Sequence, residues 1–320
     1  MNQQAVPFKC GICGGSAGEF MFQATDVNFR TTDETFSIFR CASCGVAQTF
    51  PQPPEDSLEG YYPPPYYPIG GFDPGYYRRR ILPAQRAKLA IVRRFRSSGR
   101  LLDVGCGAGF FVREASRGGF SAEGIEVSHE AVEFGRREGA RTLMEGDFLV
   151  SPFAEESFDV VTLWHVLEHL PRPVETLKKI RGLLTPSGLL VIALPNFNSI
   201  QARVFRGRWY HLEVPRHLYH FTPGVLRNLL EKEGFDVRAE YQRSSEHNWA
   251  GILGSIVPLS PANGSVSGRL ARRVAGRPAS RALAALETAF RRGGTFTLVS
   301  TPKPEHVKLM QSVASRSRIP

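Results

Sequence analysis

The sequence predicts an α/β architecture: a mostly parallel sheet with helices on both faces, preceded by a small cysteine-rich unit. Three observations carry this expectation. Strand-length apolar runs alternate with helical patterns from residue 100 onward. The first run ends in a glycine-rich turn, Asp103-Val-Gly-Cys-Gly-Ala-Gly109, and a helical pattern begins at Phe110. Four of the 5 cysteines form two C-x-x-C-G elements, Cys10-Gly-Ile-Cys13-Gly14 and Cys41-Ala-Ser-Cys44-Gly45.

At 320 residues the chain can hold one large domain plus a small one. A hydrophobic content of 42% and a charged content of 22% are those of a globular protein. The start, Met1-Asn2-Gln3-Gln4, shows no basic region followed by an apolar core, and no apolar run of about 18 residues occurs. These features point to the cytoplasm, where thiols stay reduced. The formal charge of +10 is uneven: residues 201–320 hold 19 Lys/Arg against 8 Asp/Glu. Such a surplus attracts RNA, anionic lipid or phosphorylated substrates, or reflects an arginine-rich genome.

Residues 1–50 read as a zinc ribbon. The glycine after each cysteine pair permits the positive backbone angle that turns amides toward a thiolate. Short strands at Phe20–Phe22 and Phe36–Phe39 lie between the pairs. Four thiolates, Cys10, Cys13, Cys41 and Cys44, leave no open position, so the expected Zn2+ is structural. The gap between pairs is longer than usual, and disulfides or a redox C-x-x-C are the alternatives. Residues 51–77 are rich in proline and tyrosine, which disfavours helix and central strand. They read as a linker, or as a lid whose tyrosines fold over a cofactor.

A helix over about Arg79 to Ser97 precedes the binding strand, its apolar face built from Ile81, Leu82, Leu89, Ile91, Val92 and Phe95. Strand Leu101–Val104, helix Phe110–Arg117, strand Ala122–Val127 and helix His129–Glu138 follow. A strand at about Arg141–Met144 leads to Gly146-Asp147-Phe148, and Phe158–Trp164 is a further buried strand. Helix Val174–Leu184, strand Leu189–Leu194, helix Pro223–Glu233 and strand Val237–Tyr241 continue the alternation. Thr295–Ser300 reads as the last strand. Ligands in such sheets bind beyond the carboxyl ends of the strands.

The glycine spacing excludes a dinucleotide fingerprint, because G-x-G-x-x-G would need glycine at position 110, which is Phe110. Asp103 to Gly109, with Glu126 at the end of the second strand, instead resembles the nucleotide-binding half of class I S-adenosylmethionine (SAM) methyltransferases. The resemblance runs from about Ile81 to Thr301 and implies a Rossmann-like, seven-stranded sheet. SAM has no pyrophosphate. It needs close backbone approach, an acid near its positive charges and an acid for the ribose hydroxyls. Asp103 and Glu126 suit those two roles. Gly105, Cys106, Gly107, Gly109, Val127 and Trp164 complete the cofactor site, with Cys106 a small packing residue rather than a nucleophile. By the family's pattern Asp147 and Phe148 contact the adenine; alternatively Asp147 caps a turn.

His165-Val-Leu-Glu168-His169 alone reads as an inverted zincin motif. That motif needs an established helix, whereas these residues follow a strand end and run into Pro171-Arg-Pro173. They resemble the L-E-H-x-x-P segment of small-molecule methyltransferases, which implies that Glu168 and His169 border the acceptor pocket. Relatives acting on quinone precursors carry an acid three residues before the Glu-His pair and hold a divalent ion there. This chain has His165 at that position, a departure that does not support a metal of that form.

Glu213-Val-Pro-Arg-His217-Leu-Tyr219-His220-Phe-Thr222 lies between the fifth strand and the next helix. It resembles the Glu-His stretch of sugar C-methyltransferases, which also begin with a four-cysteine zinc domain. That resemblance makes His217 the candidate base, assisted by Tyr219 or His220, and His169 of the preceding segment is a further catalytic candidate. Histidine suits the task because its unperturbed pKa is near neutrality; the alternative is that these histidines cap the helix at Thr222 or pack under the loop.

Residues 78–303 form the methyltransferase domain, with an insertion at 244–292. The insertion's first part, 248–268, is uncharged and apolar; its second mixes apolar residues with arginines. It is a lid, or a peripheral contact with the inner face of the membrane. Residues 304–320 form a tail. The expected function is methyl transfer from SAM to a small-molecule acceptor or a nucleotide- or lipid-linked sugar of envelope or natural-product biosynthesis. The alternatives are an RNA methyltransferase and a non-catalytic scaffold. The oligomeric state is unspecified.

Overall fold

The computed structural model describes residues 8–63, 66, 73–242, 252–255, 286–287, 290 and 292–304. Two sheets organise it. Strands β1 (Gly18–Ala24), β2 (Phe36–Cys41) and β3 (Ala47–Phe50) form an antiparallel meander next to the cysteine pairs. Gly14 and Gly45 take positive φ, and their amides close tight turns onto the carbonyls of Cys10 and Cys41. That is the conformation expected of each C-x-x-C-G element.

A 3-10 turn, Glu55–Tyr61, follows. The next helix begins earlier than expected, at Pro74–Tyr76 (α1), passes through a π turn at Tyr77–Ile81 and continues as Leu82–Arg93 (α2). Asp73 explains the early start. Its carboxylate accepts the amides of Gly75 and Tyr76, and proline at the first helical position is already set for helix.

The large sheet contains β4 (Gly99–Val104), β5 (Phe120–Glu126), β6 (Leu143–Glu145), β7 (Phe158–Trp164), β8 (Leu184–Pro195), β10 (Phe235–Tyr241) and β11 (Thr295–Pro302). Its order is β10-β11-β8-β7-β4-β5-β6, with β11 antiparallel to β8 and β10 and the other pairs parallel. The seven-stranded, mostly parallel expectation holds. β8 starts five residues before the expected Leu189: Leu184 pairs with Phe158, and the register then shifts past Pro186-Ser187-Gly188.

The central strands are buried on both faces, as the apolar run Leu189–Leu194 requires. Helices α3 (Phe110–Arg117), α4 (His129–Arg137), α5 (Pro173–Leu183), α6 (Ile200–Phe205) and α7 (Pro223–Lys232) connect them. Ser128, Ser199 and Thr222 cap α4, α6 and α7 by accepting the amides of Ala131, Ala202 and Val225. No helix among the described residues is long and apolar enough to cross a membrane.

One strand was not expected. Tyr219–His220 (β9) pairs with β3, Ala47 opposite His220 and Gln48 opposite Tyr219. The cysteine unit is therefore not a separate bead on a linker. It closes its sheet with a strand from the loop between β8 and α7. A fully buried ion pair fastens the same joint: Arg216 Nη2 and Nη1 donate to the two carboxylate oxygens of Asp26 at 2.7 and 2.9 Å.

Most of the expected insertion lies outside the described residues. Its described parts are tied inward. Ser255 Oγ accepts the amide of Tyr210 at 2.8 Å, and the buried Glu287 carboxylate accepts the amide and side-chain N–H groups of Gln201.

Candidate functional site

β4 and β5 deliver Asp103 and Glu126 to the carboxyl edge of the sheet, both nearly excluded from solvent. Gly105, Gly107 and Gly109 adopt φ of 66°, 53° and 64°. A side chain at Gly105 would collide with Val166, and one at Gly109 with Leu143, whereas the space above Gly107 is open. Bare backbone thus faces outward at Gly107, as close approach by a ligand needs. Glu126 is locked beneath it: its carboxylate accepts the amides of Gly107 (2.8 Å), Val127 (2.9 Å) and Ser128 (3.1 Å). Cys106 turns its sulfur over Gly124, and burial pushes its thiol well above the usual range, which fits packing rather than nucleophilic work.

Asp103 accepts a 2.6 Å hydrogen bond from Thr162 on β7. Burial nevertheless pushes its carboxyl up to about 7, against the opposing pull of Thr162 and Lys88. Lys88 of α2, whose Nζ lies 5.2 Å from the centre of the Trp164 ring, is pushed down to about 8 by burial. A carboxylate and an ammonium, each short of solvation, therefore stand beside the glycine loop. The α-amino and α-carboxylate groups of SAM match that pair in charge, so the residues present fit the cofactor. Lys88 is missing from the sequence reading because a lysine inside a helical pattern looks like an exposed one.

The other expected cofactor residues divide. Trp164 packs edge-on against Phe111 at the end of β7. Val127 is exposed beside Glu126. Asp147 caps the turn Phe148–Val150 by accepting the Leu149 amide at 2.8 Å, and Phe148 is buried in the core.

The histidines gather beyond β7 and β8. His165 takes φ of 61° and turns the chain, so Glu168 and His169 lie in a tight turn rather than on a helix. The rings of His169 and His217 meet edge to face at 4.4 Å. Nδ1 of His217 lies 2.9 Å from the His211 carbonyl, and Nε2 lies 3.0 Å from Glu213 Oε2. Burial holds His169 at about 4 and His217 well below the ordinary histidine range, so both rings are neutral at pH 7.

His220 and Tyr219 serve the joint. Thr49 Oγ1 donates its single proton to the His217 carbonyl at 2.7 Å, so the His220 Nε2–H at 3.1 Å donates to Thr49. His220 also stacks on Phe197, and burial lowers it to about 3. Tyr219 donates to the Pro171 carbonyl at 3.2 Å, and its hydroxyl fills the space beside Gly11. A narrow pocket bordered by Glu168, Leu194, Phe197, Trp209 and His217 lies at this junction. Tyr62 and Tyr66 place their hydroxyls against His169 Nδ1 (3.0 Å) and Nε2 (3.5 Å). Tyr62 and Tyr66 thus lie over the histidines, and Tyr77 packs against Phe110 beside the glycine loop.

The cysteine sulfurs converge: Cys10 and Cys44 are 3.6 Å apart, Cys13 and Cys41 3.5 Å, and all four lie within 4.8 Å of one another. Thiolates at about 2.3 Å around one tetrahedral zinc stand about 3.8 Å apart. The separations are those of a closed four-thiolate ion site and far exceed a disulfide bond.

Residues 75–240 match a family described as a methyltransferase domain. Curated relatives named ubiquinone biosynthesis O-methyltransferase include one from Xanthomonas oryzae pv. oryzae, 33% identical over 133 residues. That match covers 39% of this chain and 56% of the relative. Another, from Cereibacter sphaeroides, is 29% identical over 148 residues, 43% of this chain and 60% of the relative. The chain therefore spans about half the length of the curated relatives it matches. Among solved structures, a Haloferax volcanii methyltransferase in complex with the Trm112 activator superposes with a TM-score of 0.52 at 18% identity. It covers 74% of this chain and 96% of that one, and supports the fold.

Proposed function

The chain belongs to the methyltransferase domain family, and from that premise we propose that it transfers the methyl group of SAM to a small-molecule acceptor, a nucleotide- or lipid-linked sugar by preference. The observation that carries the reading is the juxtaposition of Asp103, Lys88 and Glu126 around the open backbone at Gly107. SAM, when bound, supplies an electrophilic methyl group on a sulfonium. Asp103 then faces the amino group, Lys88 the carboxylate and Glu126 the ribose hydroxyls. His169 and His217 stand across the sheet edge, beyond β7 and β8, where an acceptor hydroxyl, amine or acidic carbon would approach. Their neutral rings can engage its proton or lone pair. Tyr62, Tyr66, Phe197 and Trp209 exclude water there, and alignment within that dry pocket is the protein's main contribution to rate. The sugar preference rests on the pairing of a four-cysteine unit with this fold.

Methyl-labelled SAM incubated with nucleotide-sugars, lipid-linked sugars and RNA tests the reading. Label should move to the sugar fraction. Transfer to RNA would reassign the acceptor, and tight SAM binding with transfer to nothing would leave the scaffold reading.

Lys88→Met should weaken SAM binding about 10- to 30-fold, or roughly 1.4–2 kcal/mol. It should leave 5′-methylthioadenosine, which lacks the amino-acid part, unchanged. Calorimetry with the two ligands makes that comparison, and equal losses would contradict the assignment. Zinc at the four thiolates should hold the N-terminal sheet together, and through β9 the histidine loop. Chelation should expose residues 8–63 and 209–222 to limited proteolysis while SAM affinity stays within about threefold.

A further inference from the structure

We propose that Arg203, Arg206 and Arg208 form a diphosphate subsite at the rim of the pocket bordered by Phe197 and Trp209, so that the acceptor is a diphosphate ester whose far end enters that pocket. The three arginines fall in one short stretch, Arg203-Val-Phe-Arg206-Gly-Arg208, and all three are exposed. No aspartate or glutamate occurs from residue 176 to residue 212. None of the three forms an ion pair among the described residues. Other exposed arginines do: Arg79, Arg86, Arg100, Arg172 and Arg238 each face a carboxylate. A cation cluster that the fold leaves unneutralised attracts an anion from outside, and the guanidinium fork matches phosphate oxygens in pairs.

The cysteine unit fixes this turn. α6 ends at Arg206, whose φ of 47° and ψ of −120° lie in a backbone region that residues with a Cβ rarely adopt. Its Nη2 donates to the Met21 carbonyl on β1 at 2.9 Å, and its guanidinium lies 5.3 Å from the centre of the Phe22 ring. Gly207 sits so close to β1 that a Cβ there would stand 2.5 Å from the Gln23 carbonyl oxygen. Arg203 Nη2 donates to Asn198 Oδ1 at 2.5 Å, next in the chain to Phe197. Arg208 makes no side-chain hydrogen bond or ion pair among the described residues, which leaves its donors for a ligand.

The same turn leads to the pocket. Trp209 follows Arg208, is 1% exposed and borders the pocket. Phe22, beside Arg206, lies 6.3 Å from the ring of Phe197, which borders it too. A diphosphate held on the arginines therefore directs the group it carries toward the histidines. The attached unit then serves both ends of the acceptor: β1 supports the arginine turn, and β3 pairs with β9 of the histidine loop. The part the subsite plays in choosing the acceptor rests on the methyl-transfer reading; the anion site itself does not.

Nucleoside and polyprenyl diphosphates share this chemistry, and calorimetry of the zinc-loaded protein with pyrophosphate, UDP and farnesyl diphosphate separates them. Pyrophosphate should bind one site with a dissociation constant below about 1 mM at low ionic strength. UDP should bind at least about tenfold tighter if the acceptor is nucleotide-linked, and farnesyl diphosphate if it is lipid-linked. Arg206→Gln/Arg208→Gln should weaken pyrophosphate at least about tenfold, and Arg208→Gln alone at least about threefold. Arg78→Gln/Arg80→Gln removes the same charge from the exposed helix before β4 and should change binding less than about twofold. SAM affinity should stay within about threefold in every variant, which shows that each is folded. Absence of a pyrophosphate site in wild type would overturn the subsite. So would equal losses in the two double variants, which would mean unspecific attraction to a basic chain. UDP and farnesyl diphosphate both binding no tighter than pyrophosphate would overturn the assignment of the acceptor. Pyrophosphate binding by a protein that binds no SAM would leave the subsite standing and remove the methyl-transfer reading.

Discussion

Replacing Arg216 with methionine is expected to lower the free energy of unfolding by about 3–5 kcal/mol. Its guanidinium is fully buried against Asp26 and also donates to the Tyr61 carbonyl at 3.0 Å. Removal leaves a buried carboxylate whose remaining support is the amides of Phe29 and Thr31 and the Thr31 hydroxyl. The loss should appear in urea unfolding monitored at pH 7. Arg238→Met, which breaks the exposed pair with Asp236, should cost less than about 1 kcal/mol. The same joint has an acid limit. The Arg216 interaction outweighs burial and holds the Asp26 carboxyl at about 2, below its ordinary 3.8. Its contribution is therefore complete above about pH 4 and is lost as pH falls through 2, worth about 2 kcal/mol. An Arg216 effect no larger than that of Arg238 would mean that the cysteine unit is not fastened through this pair.

Asp103→Asn should reduce SAM affinity at least 100-fold, about 2.7 kcal/mol, while raising the stability of the ligand-free protein at pH 8. The two effects share one cause. Burial raises the Asp103 carboxyl to about 7, so the fold prefers it protonated, and unliganded stability falls as pH rises from 4 toward 7. Asparagine removes that penalty and can still accept from Thr162, but it offers no charge to the amino group of SAM. Wild-type SAM affinity should accordingly increase from pH 6 to pH 8, with proton release on binding at the lower pH. Calorimetry in buffers of different ionisation enthalpy measures that release. A variant both weaker in binding and unstable would indicate a structural role for Asp103 instead.

The parallel sheet was legible because its strands hold apolar runs, such as Leu189–Leu194, and its turns carry glycines. Asp103, Glu126 and the cysteine pairs were legible because their chemistry depends on local spacing. What escaped is long-range. The two residues Tyr219 and His220 are too few to show a strand period, and only their partner β3 makes them one. Asp26 and Arg216 are 190 positions apart, and neither neighbourhood marks the other. Lys88 carries no motif at all. Glu168, His169 and His217 converge only because β9 draws its loop back over the end of β7.

Calorimetric titration of the folded, zinc-loaded protein with SAM tests the central claim most directly. The account predicts one site with a dissociation constant of about 1–100 μM, roughly 6–8 kcal/mol, and comparable affinity for the demethylated product. Absence of binding heat or competition across that range, in protein whose N-terminal sheet is intact, would contradict it.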